Sequence, residues 1–187
     1  MKTLRTKLLA LAAVVALSAS AALAAPANEG AQAAGYDQLA KKVRHELVTL
    51  PWYGVFDNLE YQIDGSTVTL YGQVVQASTR KDAERRVSRI AGISRVVNRI
   101  EVLPVSPFDD SIRARTYRAL FGWNSPLFMY GRGVNPSIHI VVSGGHVSLE
   151  GVVSNEGDRN LAYMLANGVP GVFSVKNNLQ VENVRAR

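Results

Sequence analysis

The sequence predicts an α+β protein of two tandem αββαβ modules, each a three-stranded mixed sheet packed against two helices. An internal repeat, a switch between alternating and helical hydrophobic spacing within each copy, and a proline-bounded junction between the copies predict it. The run Val68-Thr69-Leu70-Tyr71-Gly72-Gln73-Val74 returns as Val147-Ser148-Leu149-Glu150-Gly151-Val152-Val153, 79 positions later. The offset then holds without a gap, pairing Arg80 with Arg159, Ala83 with Ala162, Gly92 with Gly171, Val96 with Val175 and Asn98 with Asn177. Self-similarity at a fixed period marks a repeated structural unit.

Each copy opens on a helix. Leu39, Val43, Leu47 and Leu50 fall on one side of a 3.6-residue period, with Lys41, Lys42, Arg44 and His45 off it, and Pro51 stops the run. A hairpin follows: Leu59, Tyr61 and Ile63 alternate with polar residues, Asp64-Gly65 supplies the turn, and Val68, Leu70, Gly72 and Val74 resume the alternation. Ala83, Val87, Ile90 and Ala91 form the inner face of a second helix, which Gly92 closes in a left-handed conformation. Val96, Ile100 and Val102 then form a last strand, which a right-handed crossover returns parallel to its predecessor. The second copy repeats this with Ile112, Thr116 and Leu120, then Ile138 to Val142, the turn Gly144-Gly145, a helix from about 158 to 167, and a strand from Val175 to Val181. Its helix-to-hairpin connection is six residues longer, because the first helices correspond at an offset of 73.

The expected organisation is a cleaved signal peptide over 1–24, a flexible segment over 25–35, modules over 36–103 and 108–184, and a linker over 104–107. Lys2, Arg5 and Lys7 precede the apolar run Leu8 to Leu17, and Ala22-Leu23-Ala24 offers a small-x-small cleavage site. That pattern predicts export, to a periplasm. Removal of those residues lowers the net charge from +6 to about +3, too little for a nucleic-acid-binding surface. The chain has no cysteine, which excludes a disulfide framework, a zinc-thiolate site and a lipid-modified cysteine. No later segment approaches the apolar length of a membrane-spanning helix, so membrane contact is expected to be peripheral.

The pattern Val-x-Leu-x-Gly-x-Val, an amphipathic helix with an Arg and an Ala, then Gly-Ile/Val-x-x-Val-x-Asn-x-Ile/Leu-x-Val, resembles the BON domain of bacterial osmotically inducible and nodulation proteins. It covers about Tyr36 to Leu103 and Phe108 to Glu182. The resemblance implies an αββαβ fold, an envelope location linked to envelope and osmotic stress, and a binding role at phospholipid or membrane surfaces. The repeated residues also have structural explanations. Gly72 and Gly151 are read as allowing close helix–sheet approach, and Asn98 and Asn177 as bonding local backbone at the start of the last strand.

No convergent nucleophile, base and stabiliser is legible, and no ligand spacing for a metal, so an enzyme, a metal and a cofactor are not expected. His45 is placed on an exposed helix face, His139 pointing outward on a strand, and His146 beside a turn. The basic stretch Arg80, Lys81, Arg85, Arg86 and Arg89 reads as a solvated helix face, and nucleic acid is not an expected partner.

The copies differ most in the first helix and loop of the second. Arg113, Tyr117 and Phe121 form a stripe beside the sheet-facing one, where the first copy has Ala40, Arg44 and Val48. With Arg118, Trp123, Phe128, Tyr130 and Arg132 they make an aromatic and arginine-rich set. Two readings stand: the aromatics bury themselves against the first module or under their own loop, or they form a patch whose rings sit at headgroup depth while the arginines meet anionic lipid. Leu161, Met164 and Leu165 broaden the last helix's apolar face, read as an inter-module or homo-oligomer contact. The expected function is therefore non-enzymatic attachment to anionic phospholipid membranes, with a protein-interaction or chaperone-like module for exported polypeptides as the alternative.

Overall fold

The computed structural model describes residues 27–133 and 135–182, with side chains from Gly35 onward. The expected signal peptide lies outside the described residues. Two αββαβ units follow one another. The first consists of α1 (Ala27–Val48), β1 (Asn58–Asp64), β2 (Thr67–Val74), α2 (Ala77–Val87), β3 (Arg95–Asn98) and β4 (Glu101–Val102). The second consists of α3 (Pro107–Phe121), a 3₁₀ turn (Phe128–Gly131), β5 (Ile138–Ser143), β6 (His146–Val153), α4 (Glu156–Asn167), β7 (Ser174–Asn177) and β8 (Gln180–Val181). Because α1 starts at Ala27, residues 27–35 are helical rather than the flexible lead-in expected of them.

Both sheets have the same topology. β1 pairs antiparallel with β2, and β3 and β4 return parallel to β2, which is therefore central. β5, β6, β7 and β8 repeat the arrangement. The single last strand expected in each copy is broken in two, and the asparagine at the break explains how. Asn98 Nδ2 donates to the Arg80 carbonyl of α2 at 3.0 Å while its Oδ1 accepts from the Ile100 N–H at 3.1 Å. Asn177 does the same with Arg159 and Leu179. The amide thus satisfies backbone that the ladder leaves free, ties the second helix to the sheet, and turns Ile100 and Leu179 into the core.

Gly72 and Gly151 have another role than helix–sheet approach. They sit in the central strands at φ +107° and +115°, and a Cβ at either would overlap the facing strand's Asn58 or Ser137 carbonyl oxygen. Glycine is required there by the neighbouring strand, not by the helix.

The helices of the second module start on capping side chains. The Ser106 hydroxyl accepts from the Asp109 N–H, with Pro107 at the first helical position, and Asn155 Oδ1 accepts from the Asp158 N–H. The buried Asp109 carboxylate also accepts from both turn amides of the second hairpin, Gly144 and Gly145, at 2.9 and 2.8 Å. This fixes the start of α3 to the hairpin tip. Val43, Leu47, Val68, Leu70 and Ala83 centre the first core; Ile112, Leu120, Ile140, Leu149 and Ala162 centre the second.

Candidate binding surface

The loop after α1 does not stay within its own module. Val55 O accepts from the Ile140 N–H of edge strand β5 at 2.7 Å. Tyr53 stacks on His139 with ring centroids 5.4 Å apart, and Phe56 meets Tyr117 of α3 edge-on at 6.2 Å. His139 lies on the face of β5 opposite the core residues Ile138 and Ile140, whereas Tyr117 belongs to the helix layer. Tyr53 and Phe56 therefore straddle the edge strand like a clip. The buried Asp57 holds the clip's base, accepting from the Gly54 N–H at 3.0 Å and the Val75 N–H at 2.7 Å. Burial is the largest influence on Asp57 and raises its pKa; the two amide donors, then the charge His139 carries when protonated and that of Arg113, oppose it. Burial likewise pushes the Tyr53 hydroxyl up to about 12.

His139 was expected to face solvent. It does point away from its own core, but the clip covers it and leaves it 9% exposed. Its Nδ1 is 3.2 Å from the Gly54 carbonyl, which can only accept, so Nδ1 carries the proton and Nε2, 3.5 Å from the Tyr53 hydroxyl, is left as acceptor. Burial lowers its pKa. A solvent-filled cleft of about 670 Å³ opens beside this contact, between Arg44 and Tyr61 of the first module and Asn135 and Glu150 of the second.

The clip divides the candidate set. Arg113 was expected to reach anionic lipid and does not: it is 3% exposed, paired with Asp110, and donates to the Val142 carbonyl at 2.7 Å. The helix packs it against β5, so its charge is spent inside the protein. Phe121, 4% exposed, is core, lying directly beneath Gly131 of its own loop. Tyr130 is half-buried and structural, its hydroxyl donating to Asp158 at 2.5 Å and accepting from the Ser154 N–H at 2.9 Å. Tyr117 is wedged between Phe56 and Phe121. Arg113 and Phe121 are thus buried within their own module and Tyr130 partly so, while Tyr117 touches the first module through Phe56 yet stays 37% exposed.

Trp123, Phe128, Arg118 and Arg132 remain available. Trp123 is 86% exposed and meets Phe128 edge-on at 5.4 Å; the Arg132 guanidinium lies 5.5 Å over the Phe128 ring. Met129 beside them is 67% exposed. The loop thus presents an apolar tip with a cation held over it. Arg118 is exposed on α3, its Nε donating back to the Ala114 carbonyl. Leu161 and Leu165 pack onto the second core while Met164 is exposed, and α4 contacts α3, β6, β7 and β8 of its own module. The modules meet through the clip, and Met164, read with Leu161 and Leu165 as an inter-module or homo-oligomer contact, is 60% exposed.

Sequence reasoning missed Trp52, Tyr53, Val55 and Phe56. The signal was present: Trp52-Tyr53-Gly54-Val55-Phe56 is an aromatic run at the same point of the repeat as the second copy's aromatic loop. Among the described residues no group of three or more histidine, aspartate or glutamate side chains is placed to hold a metal ion, and no helix is long and apolar enough to cross a membrane.

No curated protein matches the chain. Among the solved structures that resemble it are two of CdsD, a structural protein of the type III secretion system of Chlamydia trachomatis. One is 11% identical, covering 78% of this chain and 94% of that one at a TM-score of 0.29. The other, of the C-terminal domain, is 11% identical, covering 77% and 97% at 0.28. The BON domain model matches twice, over residues 37–104 and 109–183, the two units that the repeat and the sheets delimit. The chain therefore belongs to the BON domain family, a family of non-catalytic binding modules associated with phospholipid binding and osmotic stress, and carries two copies of the domain.

Proposed function

We propose that the protein is an exported, periplasmic, non-enzymatic binding protein that attaches reversibly to anionic phospholipid through the loop between α3 and β5. The observation that carries this reading is the exposed tip: Trp123 and Met129 stand in solvent while Arg132 is held over Phe128. An amphipathic indole at headgroup depth beside a cation is the arrangement an anionic interface favours.

Magnitudes say which part matters. With Arg113 buried, Arg118 and Arg132 supply about 1 kcal/mol each near an anionic surface, which corresponds to a Kd of only tens of millimolar. Inserting Trp123 and Met129 adds about 1.5–3 kcal/mol each and brings the Kd into the sub-millimolar to micromolar range. The apolar residues must enter the interface for attachment to be useful.

Co-sedimentation with phosphatidylglycerol vesicles tests this. Binding is expected to weaken with salt and to be absent on phosphatidylcholine. The variant Trp123→Ala/Phe128→Ala/Met129→Ala should lose it without loss of fold. Undiminished binding by that variant would refute the reading.

A protein-binding alternative is favoured by a second exposed pair. Phe108 and Phe173 lie 5.7 Å apart beside the second hairpin tip, at 44% and 68% exposure. Suppressed aggregation of an unfolded exported polypeptide, lost in Phe173→Ser and indifferent to vesicles, would select this alternative.

A further inference from the structure

The chain's histidines differ in one respect that bears on how the modules are joined. His45 and His146 are exposed, whereas His139 is enclosed in the contact between them. Its ring is packed on Tyr53, and both ring nitrogens face groups contributed by the first module. Next to it, a backbone bond to Val55 closes the same contact. We propose that His139 is an acid-sensitive latch: its neutral ring holds the two modules in one orientation, and its protonation releases the clip and frees them to reorient.

The geometry gives the reason. A neutral imidazole with the proton on Nδ1 matches the Gly54 carbonyl and leaves Nε2 for the Tyr53 hydroxyl. An imidazolium would hold a net charge on a ring that is only 9% exposed at the wall of the cleft. The ionisable groups around it are Tyr53 and Asp57 of the clip and Glu150, its cross-strand partner on β6; Arg44 and Glu60 line the adjoining cleft, and Arg113 of α3 acts on Asp57 from behind. β5 itself carries no other ionisable side chain.

The signs separate these groups. Burial lowers the His139 pKa below its ordinary 6.5, so its contribution to docking is present at neutral pH and is lost as pH falls below that value. Burial raises Asp57 and Glu150, so their contributions run the other way and fade as pH rises. Tyr53, pushed up to about 12, does not titrate in this range. Loosening on acidification therefore reports His139 rather than the carboxylates around it.

The chain has no cysteine, so Lys81→Cys on α2 and Asn160→Cys on α4, both at exposed positions, place one spin label on each module of the full chain. At pH 7.5 the interlabel distance should be single and narrow; at pH 5.0 it should broaden, with unchanged far-ultraviolet circular dichroism. His139→Phe, which keeps a ring against Tyr53 but cannot titrate, should stay equally narrow at both pH values. An unchanged distance in the unsubstituted protein at pH 5.0, broadening only with loss of secondary structure, or acid broadening that persists in His139→Phe would each overturn the latch.

Discussion

The two modules share every strand and helix but use the loop after the first helix in opposite ways. In the first, Trp52 to Asp57 turns inward onto its neighbour: Val55 bonds the β5 edge and Tyr53 and Phe56 grip it from either face. In the second, six more residues and a 3₁₀ turn carry the loop clear of β5, and Trp123 and Met129 end in solvent. An exposed sheet edge is a liability that proteins cover or blunt. Here the first copy's loop covers the second copy's edge. The second copy's loop is not used in that way among the described residues, and Trp123 and Met129 at its tip stay exposed. Duplication of one small fold thus leaves one loop as a joint and the other with an exposed tip, the proposed contact surface.

The largest effect is expected where the copies are still identical. Gly72→Ala and Gly151→Ala each place a methyl group onto a facing carbonyl at a positive φ, which relaxation can relieve only by breaking the hairpin. Each should cost about 3–5 kcal/mol in urea denaturation. The two variants also sharpen the comparison. If the modules depend on each other through the clip, both substitutions lower one shared transition; separate transitions would mean that the clip joins two independently stable units.

Next come positions where the copies diverge. Phe121 and Val48 occupy the same place in the repeat, but Phe121 lies in the core beneath the loop while Val48 is only half-buried. Phe121→Ala should destabilise by about 3–5 kcal/mol and Val48→Ala by less than about 1.5 kcal/mol, by thermal unfolding. Similar costs would mean that the longer loop contributes little to the second core.

This pair also shows what a sequence can and cannot reveal. The αββαβ order, the parallel return of the last strand and the two-module division were legible because each rests on periodicity within one segment, and the repeat tests every assignment twice. The fate of Arg113, Phe121 and His139 was not legible, because it depends on groups distant in the chain. A stripe at i, i+4 and i+8 states that Arg113 and Phe121 share a face, not that β5 and Gly131 cover it. Alternation correctly turns His139 out of its own module, and no local pattern announces that Tyr53, 86 residues earlier, lies on top of it. Asn98 and Asn177 were read as bonding local backbone at the start of the last strand, yet each also bonds a helix carbonyl 18 residues away.

Those asparagines yield a smaller prediction. Asn177→Ala removes one bond to the helix and one to the broken strand, and Asn98→Ala removes these and a further bond to the exposed Glu84 carboxylate; each should cost about 1–2 kcal/mol by denaturant titration, Asn98→Ala the more. A larger loss in Asn177→Ala than in Asn98→Ala would show that the strand break does not have the same structural role in both copies.

The smallest change in stability should come from the two exposed tryptophans, and there the comparison is sharpest. Trp52 is 72% exposed at φ +70°, the one described non-glycine residue held in the left-handed region. A bulky side chain costs about 1–2 kcal/mol in that conformation, and glycine costs about 0.5–1 kcal/mol in lost chain entropy. Trp52→Gly should therefore leave stability the same or raise it by about 1 kcal/mol, while the clip, whose contacts come from Tyr53, Val55 and Phe56, stays closed. Trp123→Ala should likewise change stability by no more than about 0.5 kcal/mol, since the ring touches little besides Phe128. Vesicle binding then distinguishes what stability does not: Trp123→Ala should weaken attachment to phosphatidylglycerol vesicles at least tenfold, while Trp52→Gly should leave it unchanged. Equal weakening by both would extend the contact surface onto the clip and remove the division of labour between the two loops.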